Sequence, residues 1–290
     1  MLKEWPLVAF TVTAQLAVGV YLLTGSVLFL AGRTSGGLSA HGERLAVPLA
    51  VLGLMGVAAF LSLFHLHRPA RAWSVLSNVG TSWLSREILS GLTFTVFAAL
   101  LGYLESLGTG SAGLIKTLYV LGGLAGAVFI LTMARLYMLP AVPAWNGPFT
   151  PLSFFLTSVV LGATASSLFF SRFATAPPSL YRLMLVTAVT SAGTVLACAV
   201  LLTPGHGILE ARAAPSLRPP GRTSGSLFAA RLAMLLAGLV LLATAAFKAR
   251  EEIRRPLLLV AAFSLVLAGE IAGRFLFYAL AGAINTKQIK

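Results

Sequence analysis

The chain has 290 residues, of which 58% are hydrophobic and only 10% charged, and its mean hydropathy is +0.91. A soluble domain carries about 25% charged residues; this composition cannot cover a water-facing globule, and it excludes intrinsic disorder. The formal charge of +13 comes from 21 Lys and Arg against 8 acidic residues, all of them Glu. The basic residues are scattered through short connectors between apolar runs, where they meet lipid headgroups and set topology rather than bind nucleic acid.

A hydrocarbon core about 30 Å thick is spanned by about 20 apolar helical residues. Eight such runs follow one another: Leu7–Ala31, Leu45–Leu66, Glu87–Leu107, Leu114–Leu139, Leu152–Phe170, Leu180–Thr203, Leu227–Phe247 and Leu257–Ala283. They are continuous and rich in Leu, Ala and Gly, unlike the alternating ten-residue strands of a membrane barrel. The first run is too long for a signal-peptide core and lacks a small-residue cleavage site, so it is expected to be retained. Gly- and Ser-rich residues 32–44 and the prolines Pro140, Pro143, Pro148, Pro151, Pro177, Pro178, Pro215, Pro219 and Pro220 punctuate the links. The expectation is an all-α integral membrane protein: eight transmembrane helices with short connectors, one domain over residues 1–290, and no internal repeat.

Gly122, Gly123, Gly126, Gly269 and Gly273 are small residues at helical spacing, expected to let helices approach closely. Cys198 is the sole cysteine and lies in an apolar run; it forms no internal disulfide or cysteine-rich metal site and reads as a packing residue. The even number of spans puts both termini on one side. The Lys and Arg of the connectors divide evenly between the two sides, so charge sets no orientation.

Ionisable groups at membrane depth are costly and mark candidate sites. They are His65 at the end of the second run, Glu87 and Glu105 in the third, Arg135 in the fourth, and Glu270 with Arg274 in the eighth. Glu270 and Arg274 are four apart in the favourable orientation for an ion pair within one helix. Arg135 is close enough to its helix end to snorkel.

The connector HRPARAWSVLSNVGTSWLSR joins the second and third runs. Trp73, Leu76, Val79 and Trp83 are spaced by three or four, which predicts a short amphipathic helix along the bilayer interface. Such a helix is either an anchor or one wall of a site open to a lipid-soluble ligand. His65, His67, Arg68, Arg71, Asn78, Arg86 and Glu87 all fall near this one membrane face. A quinone headgroup requires that surround. Its carbonyl oxygens accept hydrogen bonds, a histidine takes a proton near neutrality, a carboxylate passes one to water, and arginine stabilises negative charge on the ring.

Of the four histidines, His41 and His206 lie in loops and His65 and His67 share one helix end, so no pair is placed to ligate a haem within the bilayer. Nucleotide-binding glycine loops, HExxH and, without Asp, the usual Ser-His-Asp set are also absent.

The segments EWPLVAFT, SLFHLHRPARAWSVLSNVGTSWLSREILSG, VPAWNGPFTPLSFFLTS and LAGEIAGRFLFYAL span nearly the whole chain. In them the sequence resembles the membrane anchor subunit family of bacterial dimethyl sulfoxide reductase, a group within the complex iron–sulfur molybdoenzymes. The resemblance implies an eight-helix anchor in the bacterial cytoplasmic membrane that binds menaquinol or a similar quinol such as ubiquinol as substrate and holds no haem or metal. It implies an iron–sulfur subunit and a molybdopterin catalytic subunit as partners; the iron–sulfur clusters and molybdopterin belong to those partners alone. The family's quinol-site histidine and glutamate fall on His65 and Glu87. After the histidine the family usually has small residues before proline; here His67 and Arg68 stand there, adding a titratable ring and a cation.

The expected function is therefore exchange of electrons between the quinone pool and an iron–sulfur subunit. His65 would be hydrogen-bond partner and proton acceptor and Glu87 the proton relay, with His67, Arg71 and Asn78 contributing to the headgroup pocket. The alternatives are a transporter built on Glu270, Arg274 and Arg135 and a purely structural anchor.

Overall fold

A computed structural model describes residues 4–30, 38–64, 78–172, 178–202, 222–247 and 254–285. These residues form eight long helices, each apolar enough to cross a membrane, and among the described residues there is no strand. They are α1 (Trp5–Gly25, continued by a π-helical turn, Ser26–Leu30), α2 (Leu38–Leu63), α3 (Trp83–Ser106), α4 (Ala112–Tyr137), α5 (Phe149–Arg172), α6 (Pro178–Leu202), α7 (Arg222–Phe247) and α8 (Arg254–Asn285).

Every helix coincides with an expected apolar run. Several begin earlier: α2 at Leu38 rather than Leu45, and α7 at Arg222 rather than Leu227. An apolar run marks only the part of a helix at hydrocarbon depth, and a helix that satisfies its own backbone continues past it into the polar interface. Local signals fix the ends. Ser82 and Ser111 cap α3 and α4 by accepting hydrogen bonds from the backbone N–H of Ser85 and Leu114 at 3.4 and 3.2 Å. Pro6, Pro151 and Pro178 lie in the first turns of α1, α5 and α6, where the missing N–H costs no helical bond. Pro48 interrupts α2, and Gly102 of α3 leaves room for its ring, since a Cβ there would lie 3.2 Å from Pro48 Cβ.

The interfacial helix expected over Trp73–Trp83 does not extend to Trp83. Residues 78–81 form a turn, and Trp83 opens α3. The turn is held by Arg86, which donates from Nε to the Val79 carbonyl at 2.8 Å and from Nη2 to the Gly80 carbonyl at 2.6 Å. The remainder of that segment lies outside the described residues.

Packing divides the chain into two halves of four helices each. In the first, α1 packs on α2, α2 on α3, α3 on α4, and α4 returns to α1; the second repeats this order from α5 to α8. The two larger apolar clusters are centred on these halves, with Val18, Phe94 and Phe129 in the first and Leu161, Leu235 and Leu259 in the second, and they cross at the seam, where Phe154 and Phe277 join the first and Val12 the second. The seam between the halves is α1 against α5, where Gly19 and Gly162 meet backbone to backbone with no space for a Cβ on either. The order of contacts thus repeats although no sequence repeat was visible. The expected small-residue packing is present: Gly122 accommodates the Tyr21 hydroxyl, and Gly269 faces Leu235.

Because α1, α3, α5 and α7 start on one face of the bundle, α2, α4, α6 and α8 end on that face. It is called the terminal face below.

Candidate functional site

Glu87 is the fifth residue of α3 and points into the bundle, with only 3% of its surface exposed. The next turn fixes this orientation. Ser90 and Thr132 of α4 share a hydrogen bond at 2.9 Å, and Gly91 admits the Phe129 ring. The Glu87 carboxyl is within electrostatic reach of the hydroxyls of Tyr137 on α4 and Tyr278 on α8. Those two phenols are joined, Tyr278 donating to Tyr137 at 2.8 Å.

Aromatic packing positions the tyrosine pair. Trp145, from the α4–α5 link, stacks on Phe277 with ring centroids 4.9 Å apart and donates from Nε1 to the Phe277 carbonyl at 2.9 Å. Tyr137 meets Trp145, Phe154 and Phe277, each at 5.7–5.8 Å. Thr150 closes the link by donating to the Trp145 carbonyl at 2.7 Å.

A second polar group adjoins it on α8, where Glu270, Arg274 and Tyr278 recur every four residues and so share one face. Arg274 is 4% exposed and donates from Nη2 to Gln15 Oε1 at 2.9 Å and to Thr157 Oγ1 at 3.4 Å. Its guanidinium lies 3.8 Å from the centroid of the Phe154 ring, a cation–π contact in a desolvated setting. Thr157 in turn donates to Glu270 Oε2. The ion pair expected between Glu270 and Arg274 is replaced by this bridge. The carboxylate pairs instead with Arg231 of α7, Nη2 to Oε1 at 3.5 Å. The reason is geometric: both α8 side chains point into the seam, where α1, α5 and α7 offer closer partners.

The expected site residues are distributed as follows. His65, His67, Arg68 and Arg71 lie outside the described residues; the backbone enters that segment at Phe64, which packs on Trp5 at the start of α1 with centroids 5.6 Å apart. Asn78 is exposed in the turn before α3, its carbonyl accepting from the backbone N–H groups of Thr81 and Ser82. Arg86 turns away from Glu87 onto the turn carbonyls and the Trp83 ring, 4.4 Å from its centroid. Arg135 is exposed on the same Trp83 ring at 5.7 Å and does not join Glu270 and Arg274, so the three residues of the transporter alternative do not converge.

Tyr137, Tyr278, Gln15, Thr157 and Trp145 were not singled out from the sequence. Gln15 carried the clearest missed signal, an amide near the middle of the first span.

The fold and this buried polar seam define an all-α polytopic membrane protein with Glu87, Glu270 and Arg274 buried inside the bundle. Residues 1–280 match the family of the DMSO reductase anchor subunit (DmsC), and the chain belongs to that family. It is thus a multi-pass protein of the bacterial inner membrane. It is 31% identical over 282 residues to the YnfH subunit of anaerobic dimethyl sulfoxide reductase from Escherichia coli, an alignment that takes in 96% of this protein and 94% of that one. It is 30% identical over 285 residues to the C subunit of anaerobic dimethyl sulfoxide reductase from the same organism, again over 96% of this protein and 94% of that one. The corresponding C subunit from Haemophilus influenzae is 35% identical over 165 residues, 57% of this protein and 58% of that one.

Proposed function

We propose that this anchor binds a quinol, menaquinol or ubiquinol, near Glu87 and exchanges its electrons with an iron–sulfur subunit that serves a molybdopterin catalytic subunit. The observation that carries this reading is the Glu87 carboxyl: it is buried near the terminal face, within electrostatic reach of two tyrosine hydroxyls, on the helix that follows the His65 connector. Burying a carboxyl costs free energy that packing alone does not require, so its retention calls for a chemical role.

Oxidation of a quinol releases two electrons and two protons. His65 bonds one ring oxygen and accepts its proton, and Glu87 relays a proton onward. Tyr137 and Tyr278, held by the Trp145–Phe277 stack, present hydroxyls that orient the carboxyl and supply a proton path. His67, Arg71 and Asn78 contribute to the mouth of the pocket. The electrons pass to the partner's clusters without haem in this chain.

The test is quinol-driven reduction of the clusters in the intact complex. Glu87→Gln keeps the size of the side chain and removes its proton affinity; it is expected to slow quinol oxidation about a hundredfold, the usual scale of a lost acid–base group. His65→Ala is expected to do the same and to weaken binding of a quinol-site inhibitor. Wild-type rates in both variants would reject the site.

A further inference from the structure

A cavity of about 40 Å³ lies between α5, α6, α7 and α8. Its polar lining is Ser153, Thr157, Cys198, Arg231, Glu270 and Arg274. Phe149, the first residue of α5, also lines it, and Cys198 is one turn from the end of α6. The cavity therefore occupies the half of the bundle nearest the terminal face, the half that also contains Glu87.

Glu270 is 5% exposed; Thr157 donates to its Oε2, while its Oε1 faces Arg231 Nη2 at 3.5 Å, an ion pair too long to be a good hydrogen bond. A buried carboxylate oxygen without a close hydrogen bond costs about 1–3 kcal/mol. A water needs about 10–15 Å³ and two to four polar partners, and the cavity supplies both. The carboxylate oxygen thus has room for a closer donor beside Arg231, and water fits it.

We propose that this cavity is a hydrated vestibule through which Glu270 exchanges protons with the aqueous phase at the terminal face. The proposal rests on the quinol reading and extends it. Glu270, Arg274 and Tyr278 lie on one face of α8, and Tyr278 is paired with Tyr137, within electrostatic reach of Glu87. A proton released at the Glu87 site moves by O–H exchange through the Tyr137–Tyr278 pair, crosses to the Thr157 hydroxyl by way of an intervening water, and passes to Glu270, one O–H bond breaking on each donor as one forms on the acceptor. It leaves Glu270 as hydronium in the cavity water. The electrons depart separately to the partner.

Cys198 is the protein's one cysteine and lies in the cavity wall, so it reports on water there. The wild-type complex in membrane vesicles is treated with a charged, membrane-impermeant methanethiosulfonate, and the Cys198 peptide is read by mass. Labelling of the native complex is expected. Protection in the native complex with full labelling after unfolding would overturn the vestibule.

The second arm follows single-turnover proton release with a pH dye alongside cluster reduction. In Glu270→Gln, protons are expected to appear roughly tenfold more slowly while the first electrons arrive at the wild-type rate. Proton release that keeps pace with cluster reduction in this variant would overturn the role of Glu270. If the variant fails to assemble, the labelled wild-type complex, its cavity plugged at Cys198, must show the same delay or the proposal fails. Normal turnover in Glu87→Gln would instead reject the quinol site, a result distinct from either arm here.

Discussion

At the scale of single residues, the polar seam is joined by groups that differ in how they reveal themselves. Glu87, Glu270 and Arg274 stand out because a charge in an apolar run has an obvious cost. Thr157 does not. A threonine in a membrane helix ordinarily returns its hydroxyl to its own backbone, and Thr157 is placed to do so, with the Ser153 carbonyl 2.9 Å away sharing its single proton with Glu270. Its contacts with Glu270 and Arg274 arise only once α8 is packed against α5. Tyr137 and Tyr278 sit near helix ends, where sequence reading expects an aromatic belt facing lipid headgroups. Thr157→Val preserves shape and removes the bridge, leaving a carboxylate oxygen and a guanidinium each short of a partner. It is expected to destabilise the detergent-solubilised protein by about 1–3 kcal/mol, read by denaturant titration, with Thr157→Ser close to wild type.

Helix positions along the chain were legible from apolar runs, caps and prolines; helix faces were not. In water, the apolar stripe of a helix identifies its buried side. Lipid is as apolar as a protein interior, so exposed Leu89, Leu92 and Val96 on α3 read no differently from buried Phe94 and Leu101. The same difficulty misplaced Trp83, whose spacing with Trp73, Leu76 and Val79 suggested a shared interfacial helix. The Arg86 bonds to the Val79 and Gly80 carbonyls instead fold that stretch into a turn. Close approach is what distinguishes a structural glycine. Gly162 meets the backbone of Gly19, whereas Gly53 on α2 has nothing within 4 Å of a built Cβ. Gly162→Leu is therefore expected to force α1 from α5, costing about 3 kcal/mol and lowering the thermal midpoint of the purified protein. Gly53→Leu should leave it unchanged.

For the molecule as a whole, the two four-helix halves explain why the polar groups collect where they do. At the seam of α1, α5 and α8 side chains from both halves meet away from lipid, and Gln15, Thr157 and Arg274 join there, as Tyr137 of α4 and Tyr278 of α8 do nearby. Each half closes on itself, and the halves are held together by the α1–α5 contact, by α4 on α5 and by α1 on α8. Covalent continuity between α4 and α5 should then be dispensable. The link is exposed at Leu139, Pro140 and Ala141, whereas Trp145 beyond it is buried against Phe277. A cut between Pro140 and Ala141 interrupts one backbone hydrogen bond, Val142 N–H to the Leu139 carbonyl at 2.9 Å, and leaves the Trp145 anchor with the second half. Co-expressed fragments 1–140 and 141–290 are expected to insert and copurify in equal amounts, because preformed membrane helices associate by packing and interhelical hydrogen bonds without need of a linker. Adding Gly162→Leu to the second fragment should abolish that copurification while leaving its membrane insertion intact. If the two fragments insert but do not associate, the halves depend on their linker, and the α1–α5 seam is not what joins them.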